Sequence, residues 1–143
     1  MDIRREFSAG GVVVRTSEEG FEVALASRRT RKGTLAWGLP KGLIEPHEHA
    51  NETATREVLE ETGLEATIRE SLGDISYWYV WEGVRVKKNV RFFLMDAVGG
   101  DLSRHDHEME EVRWFPLDEA ERVASYASER DMIRGAARAL GAV

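Results

Sequence analysis

One segment of the chain, residues 42–64, constrains the fold more than any other. It reads GLIEPHEHANETATREVLEETGL and predicts a helix from about Ala50 to Thr62. Asn51 is placed to cap the start of this helix, where its side chain can accept a hydrogen bond from a free backbone N–H. Gly63 stands where a left-handed residue is expected after the last turn. The sequence therefore marks both ends of one helix.

The predicted helix has two chemically different faces. Ala54 and Val58 are four residues apart and form an apolar seam that packs against a core. Glu57, Glu60 and Glu61 share another face because they lie three and four residues apart. Three neighbouring carboxylates form either a solvated surface or the ligands of a hard cation such as Mg²⁺, which prefers oxygen ligands.

The spacing of the whole segment favours the metal site. It matches every defined position of the pattern G, five residues, E, seven residues, R-E-U-x-E-E-x-G-U, in which U is a bulky aliphatic residue. The segment therefore resembles the box of the Nudix hydrolases, which use a divalent metal to hydrolyse a nucleoside diphosphate linked to another group. So many fixed positions make a chance match far rarer than for a short motif. The matching residues are Gly42, Glu48, Arg56, Glu57, Val58, Glu60, Glu61, Gly63 and Leu64.

The resemblance implies a set of metal ligands and a residue that orients them. Mg²⁺, with Mn²⁺ as a substitute, would be held by Gly42, Glu57, Glu60 and Glu61. Gly42 lacks a Cβ, so its backbone can approach the metal closely. Arg56 would orient a catalytic glutamate with its planar guanidinium. The alternative for Arg56 is an ordinary surface ion pair with Glu60, worth about 0–1 kcal/mol.

Further polar residues surround this segment. Glu108 lies in an acidic stretch before a predicted strand and is the expected loop carboxylate, so the proton of the attacking water would go to Glu57, Glu61 or Glu108. Glu45 and Glu48 would complete the acidic cluster. Histidines in two H-x-H pairs are weak support for a zinc site, because no other ligands accompany them. These are His47, His49, His105 and His107, of which His47 replaces a common glycine and tolerates positive φ.

Strand patterns surround the helix, and helical patterns end the chain. Together they predict an α/β (α+β) fold, an α/β/α sandwich with a mixed β-sheet and a C-terminal helix, which is also the Nudix fold. Gly10 and Gly11 lie inside the first strand and predict a bulge or a close approach by another backbone. The predicted strands are Phe7–Arg15, Phe21–Ser27, Ala66–Ser71, Asp74–Trp81, Val84–Val98 and Glu111–Phe115, and the later helices are Leu117–Ala124 and Ser128–Leu140, the second capped by Ser128 and Asp131.

Elements outside the box resemble bacterial diadenosine tetraphosphate hydrolases more narrowly. They include FSAGGV, LPKG, YWY, RVKKNV and WFP, and each is less specific than the box. Lys41 would bind a phosphate oxygen. Tyr77 or Tyr79 would stack on adenine, although strand aromatics are more often packed in a core or against a neighbouring strand. Lys88 and Arg91 would hold distal phosphates, with solvated strand charges as the alternative.

Composition limits the classes of protein to which the chain can belong. Its 143 residues predict a single domain over 1–143, and the absence of cysteine fits a cytoplasmic protein. The N-terminus lacks the apolar run of a signal peptide, and no stretch is long enough to span a membrane. A net charge of −6 argues against charge-driven nucleic-acid binding. A small nucleotide is therefore the expected partner, and the protein is expected to be a monomer or a homodimer.

The expected activity is metal-dependent hydrolysis of diadenosine tetraphosphate or related dinucleoside polyphosphates to ATP and AMP by attack of an activated water. Three alternatives lie within the same family: a hydrolase of oxidised nucleotides, of ADP-ribose or of inositol pyrophosphates. No proline occurs between Pro46 and Pro116, which disfavours the ADP-ribose group. A nucleotide-binding sensor without catalysis is the alternative from a different class, and the complete set of box glutamates disfavours it.

Overall fold

The structure, a computed structural model, describes residues 2–142. Seven strands, three α-helices and one short 3₁₀ helix (Leu102–Arg104) make up this part of the chain. No helix within it combines the length and the apolar character needed to cross a membrane. The strands are β1 (Ile3–Ser17), β2 (Gly20–Arg29), β3 (Leu35–Gly38), β4 (Lys41–Leu43), β5 (Leu64–Trp81), β6 (Val84–Gly100) and β7 (Glu111–Pro116), and the helices are α1 (Ala50–Thr62), α2 (Leu117–Val123) and α3 (Ala127–Ala139).

All seven strands belong to one mixed sheet. Its central order is β3-β2-β1-β6-β5, while β4 pairs with β1 and β7 pairs with β2. β1 and β6 run parallel and the other pairs run antiparallel. The long β5–β6 hairpin turns at Glu82 and Gly83, which both have positive φ, as two-residue hairpin turns require.

Helices cover both faces of the sheet, which confirms the predicted α/β/α sandwich. On one face, Ala54 and Val58 of α1 are fully buried against strand residues that include Val13 and Met95. On the other face, Ala120 of α2 and the residues Ile133 and Ala136 of α3 pack against buried apolar residues from four strands (β1, β2, β6 and β7) and the β3–β4 connection. The apolar seam predicted for α1 therefore faces a core, and the carboxylate face is left to point toward the loops.

Two predicted caps are wrong. The N-cap of α1 is His49 rather than Asn51, because the Glu52 side chain reaches back and accepts the His49 backbone N–H at 2.9 Å. α3 starts at Ala127 with Tyr126 as its N-cap, so Ser128 lies inside the first turn. Asp131 instead forms an ion pair with Arg134 at 2.8 Å.

The two strands predicted at 66–71 and 74–81 are one continuous strand, β5. It pairs with β6 along its whole length through shifts in register, one of them between Ser71 and Gly73. Gly73 has a φ of 110°, which few other residues adopt. The gap between the two predicted strands coincides with this register shift, but pairing with β6 keeps both halves in one strand.

The glycine pair in β1 allows another backbone to approach closely, as predicted. A Cβ on Gly10 would overlap the Pro40 carbonyl oxygen, and the Gly11 N–H donates to that oxygen at 3.1 Å. β4 also pairs with β1, with Lys41 opposite Gly10. The Pro40–Leu43 segment is thereby held across β1, beside the second half of α1.

Candidate active site

A cavity of about 740 Å³ opens between one face of the sheet, the β4 segment and the first turn of α3. Its wall combines carboxylates, cations and tyrosines, which is the composition expected for a site that binds a charged molecule with an aromatic part. The lining charged and aromatic side chains are Arg28, Lys41, Glu57, Glu61, Tyr77, Lys88, Glu108, Tyr126 and Glu129.

Arg56 organises the carboxylates beside the cavity. Its guanidinium donates to both oxygens of Glu48, at 2.7 and 2.9 Å, and to Glu57 Oε1 at 2.8 Å. A further donor reaches the Leu43 carbonyl oxygen at 3.2 Å, and the Glu60 oxygens lie more distantly at 3.4 Å. Hydrogen bonds from Arg56 and Thr53 lower the pKa of Glu48 to about 2. Glu48 is thus the partner of Arg56 rather than a free member of the acidic cluster.

Glu57 lies directly against the backbone of Gly42. A Cβ on Gly42 would lie 2.1 Å from the Glu57 Cδ, closer than real Cβ atoms approach other atoms. The glycine therefore leaves a cradle that the Glu57 carboxylate fills. Burial raises the pKa of Glu57 above its ordinary value despite the opposing charge of Arg56.

Glu61 is the most buried carboxylate of the helix face, with 6% of its surface exposed. Its Oε1 accepts the Lys41 backbone N–H at 3.2 Å, and its Oε2 lies 3.6 Å from Arg28 Nη2. Burial raises the pKa of Glu61 to about 7, ahead of the opposite effect of the Arg28 charge. The carboxylate has less positive charge around it than a buried anion needs, which fits a site completed by a cation.

The donors near α1 suit a hard cation but do not form a closed cage. Within residues 2–142 no three carboxylate or imidazole side chains converge as a ready-made metal site. Glu57, Glu61 and Gly42 line the same cavity, whereas the Glu60 side chain is half exposed on the far side of Arg56. All these donors are oxygens, and the Gly42 cradle keeps one carboxylate at the backbone. The set fits Mg²⁺, which commonly retains several waters.

The structure brings several of the predicted substrate residues to the cavity. Lys41 and Lys88 line it, and so does Tyr77, which lies opposite Lys88 in the β5–β6 ladder. Burial lowers the pKa of Lys88 below its ordinary value, with Glu6 opposing the shift from 3.9 Å. Glu108 also lines the cavity, where its backbone N–H donates to Asp106 Oδ1 at 3.2 Å.

Two predicted substrate residues lie elsewhere. Arg91 is three residues from Lys88, so the pleat places it on the opposite face of the sheet, where it pairs with Asp74 at 2.9 Å. Tyr79 lies on the same face as Tyr77 but outside the cavity wall, and its hydroxyl donates to Glu6. The ion pair with Asp74 neutralises the charge of Arg91, and the hydrogen bond to Glu6 holds the Tyr79 side chain in place.

Among the charged and aromatic lining residues, three were not predicted as site residues: Arg28, Tyr126 and Glu129. For Glu129 the sequence does hold a signal, since it lies four residues before Ile133 and seven before Ala136 on the buried face of α3. A carboxylate at a buried helical position has to find a partner. Arg28 opens the basic run RRTRK at 28–32, which by itself marks no site, and nothing in the sequence singles out Tyr126.

The four histidines do not form a metal site within the described residues. His47 has a φ of 70°, in keeping with the positive φ expected for the residue that replaces glycine there. His49 is the N-cap of α1, and His105 Nδ1 lies 2.7 Å from the Asp106 carbonyl oxygen. His47, His49 and His105 therefore have local structural roles.

Comparisons with known proteins agree with this geometry. The model of the NUDIX domain matches residues 5–135, and the chain belongs to that family. It is similar to a Mycobacterium tuberculosis protein with the provisional name mutator protein MutT4, with 45% identity over 128 residues that cover 87% of this chain and 52% of the relative. The chain therefore spans about half the length of that relative.

Two further relatives are named for the substrate that they hydrolyse. The asymmetrical bis(5'-nucleosyl)-tetraphosphatase of Sus scrofa is 32% identical over 106 residues, which cover 71% of this chain and 70% of that one. The crystal structure of a C. elegans Ap4A (diadenosine tetraphosphate) hydrolase in a binary complex superposes with a TM-score of 0.77 at 26% identity, covering 96% of this chain and 99% of that one. The family is thus shown, and two of these three relatives are named for hydrolysis of a dinucleoside tetraphosphate.

Proposed function

We propose that the protein hydrolyses dinucleoside polyphosphates, and most efficiently diadenosine tetraphosphate, to ATP and AMP. The observation that carries this proposal is the single cavity in which Glu57, Glu61 and Glu108 face Lys41 and Lys88. A wall that carries both carboxylates and cations suits a chain of phosphates, in which the reacting phosphate needs metal ligands and a base. Resemblance to the tetraphosphatases supports the same substrate.

The aromatic part of the cavity supports a nucleotide with an exposed base. Tyr77 and Tyr126 both line the wall, from β5 and from the N-terminus of α3. Aromatic rings stack on bases with about 1–3 kcal/mol each in single-strand binders. Tyr77 and Tyr126 would therefore hold the adenine, while Lys41 and Lys88 hold the phosphates.

The residues of the box would carry the chemistry. Gly42, Glu57, Glu60 and Glu61 would hold Mg²⁺ or Mn²⁺, which when bound neutralises phosphate charge and makes water a stronger nucleophile. Water attacks one phosphorus in line, the bond to the bridging oxygen breaks, and the proton of the water passes to a carboxylate. Glu61, Glu57 and Glu108 are the candidates for that base, and Arg56 keeps Glu57 in place.

A second candidate function is hydrolysis of an oxidised nucleoside triphosphate. Its support is the similarity to an 8-oxo-(d)GTP phosphatase of Mycolicibacterium smegmatis, with 34% identity over 98 residues that cover 68% of this chain and 29% of that relative. The same carboxylates and cations would serve this reaction, because water attacks a phosphorus of a polyphosphate chain in both substrates. The two proposals differ in which part of the substrate would occupy the cavity beyond the reacting phosphates.

Initial rates on three substrates separate these functions. Diadenosine tetraphosphate, an oxidised guanine nucleoside triphosphate and ADP-ribose are compared at equal concentration with Mg²⁺, and the products are resolved by chromatography. We expect the highest kcat/KM on diadenosine tetraphosphate with ATP and AMP as products. A higher kcat/KM on the oxidised nucleotide would replace the first proposal by the second, and no metal-dependent turnover would favour a sensor.

A further inference from the structure

Glu129 is a buried carboxylate that joins two parts of the cavity wall. It lies in the first turn of α3 and is 2% exposed. Its Oε1 accepts the Leu39 backbone N–H at 2.7 Å, and its Oε2 accepts a hydrogen bond from Lys41 Nζ at 2.7 Å. A Cβ on Gly38 would approach Glu129 Oε1 to 3.1 Å, so the chain also makes room for this carboxylate. Both oxygens of a buried anion are thus satisfied by one short segment.

The segment that Glu129 holds is the one that supports Glu61. The Lys41 side chain binds Glu129, while the Lys41 backbone N–H donates to Glu61 Oε1 at 3.2 Å. Lys41 therefore lies between a carboxylate of α3 and a carboxylate of α1. A displacement of the Leu39–Lys41 segment would move both the ammonium group and the hydrogen bond to Glu61.

The same turn of α3 sets the position of the tyrosine in the wall. Tyr126 is the N-cap of α3, and its carbonyl oxygen accepts the Glu129 backbone N–H at 3.1 Å. A second hydrogen bond lies next to it, in which the Ser125 hydroxyl oxygen accepts the Trp37 backbone N–H at 2.9 Å. Glu129 thus fixes the α3 end of the cavity to the segment that carries Lys41.

We propose that Glu129 is a positioning residue that acts through Lys41. It holds the ammonium group of Lys41 in the cavity wall, where that group would bind a phosphate. It also keeps the Lys41 backbone N–H in place to donate to Glu61. A lysine side chain has four rotatable bonds and turns freely into solvent without such a partner. This inference rests on the proposed function, because the reaction that Lys41 serves is the proposed hydrolysis.

Glu129→Gln separates positioning from general stability. Glutamine keeps the shape and an acceptor for the Leu39 N–H, but it cannot form an ion pair with Lys41. We expect kcat to fall by about tenfold or more, since a misplacement near 1 Å costs up to about 100-fold. KM should stay unchanged or fall, because the variant removes a negative charge beside an anionic substrate. A purely structural role would lower kcat and raise KM together.

A double-mutant cycle tests the route through Lys41. In a Lys41→Met background, Glu129→Gln should change kcat by less than about twofold, because residues that act as a unit are not additive. Glu121→Gln is the matched control, since it removes an exposed ion pair with Arg134 at 2.8 Å and should leave both constants unchanged. An equal loss in both backgrounds would overturn the inference. If Glu129→Gln does not fold, Glu129→Asp enters the same cycle with the same expectation.

A labelling experiment gives a readout that does not depend on activity. Acetylation of Lys41 by an amine-reactive reagent is followed by mass spectrometry, with the exposed Lys32 as internal reference. Lys41 should react several-fold faster in Glu129→Gln than in the wild type. If the wild type hydrolyses no nucleotide, the proposed function fails but this test still stands. Equal labelling, with an active wild type and an unchanged kcat, would refute the positioning role.

Discussion

Gly42→Ala is the most direct test of the site geometry, because it adds one methyl group at the cradle of Glu57. The new Cβ would lie 2.1 Å from the Glu57 Cδ and within 2.4 Å of both carboxylate oxygens. The φ of Gly42 lies outside the left-handed region, so alanine is compatible with the backbone. The substitution therefore acts on the neighbouring carboxylate rather than on the conformation of β4.

The size of the effect follows from the distance. Ordinary contact at a Cβ begins at 3.4 Å, so the Glu57 carboxylate has to move by about 1 Å or more. A displacement of about 1 Å at a catalytic constellation costs about 100-fold in rate, or about 2.7 kcal/mol of transition-state stabilisation. The movement also strains the hydrogen bond from Arg56 to Glu57, which is 2.8 Å long.

The assay is kcat/KM for hydrolysis, measured over a Mg²⁺ titration, together with thermal unfolding. We expect Gly42→Ala to lose about 100-fold in kcat/KM and to require more Mg²⁺, with the fold retained. Gly135→Ala is the control, because its Cβ would meet nothing closer than Arg138 at 4.0 Å inside α3. That variant should keep full activity and gain about 0.5–1 kcal/mol in stability. Activity within threefold of the wild type in Gly42→Ala would refute the cradle as the reason for glycine.

Three further predictions concern α1 and its surroundings. Val58→Ala should lower the free energy of unfolding by about 2 kcal/mol in urea titrations, since Val58 is fully buried; an unchanged midpoint would contradict its place in the core. Arg56→Lys should reduce kcat/KM by about 10- to 100-fold while the protein stays folded, because lysine cannot hold Glu48 and Glu57 together; equal rates would exclude that role. The low pKa of Glu48, about 2 in the folded state, makes its contribution to stability complete above pH 4.5 and lost as the pH falls toward 2. The difference in melting temperature between the wild type and Glu48→Gln should therefore shrink over that range, and a constant difference would show that folding does not lower the pKa of Glu48.

Local pattern was sufficient for α1 and for most strands. Ala54 and Val58 repeat at helical spacing, and their burial follows directly from that period. The caps were the weak points, because Glu52 could reach either backwards to His49 or into solvent, and only the folded loop decides. Likewise, β5 remains one strand because β6 pairs with it on both sides of Gly73.

Of the residues predicted for the site, Glu57, Glu61 and Lys41 line the cavity, because their spacing along one helix and one loop is a local property. The face on which a strand residue lies also follows from the alternation of side chains along a strand. Because Arg91 and Lys88 are three residues apart, the sequence already predicts that they lie on opposite faces of the sheet. Tyr126 could not be found in this way. It is more than eighty residues from Lys41, and only the packing of α3 against the sheet brings it to the cavity.

The sequence by itself determined the family, the acidic face of α1 and the layered fold, because each depends on residue type at short spacing. The tertiary structure decided which charges are free to act. It assigned Glu48 to Arg56, Arg91 to Asp74 and Glu129 to Lys41. Charges interact over a few ångströms regardless of their separation along the chain. The pairs that define this site are therefore set by how the strands and helices meet.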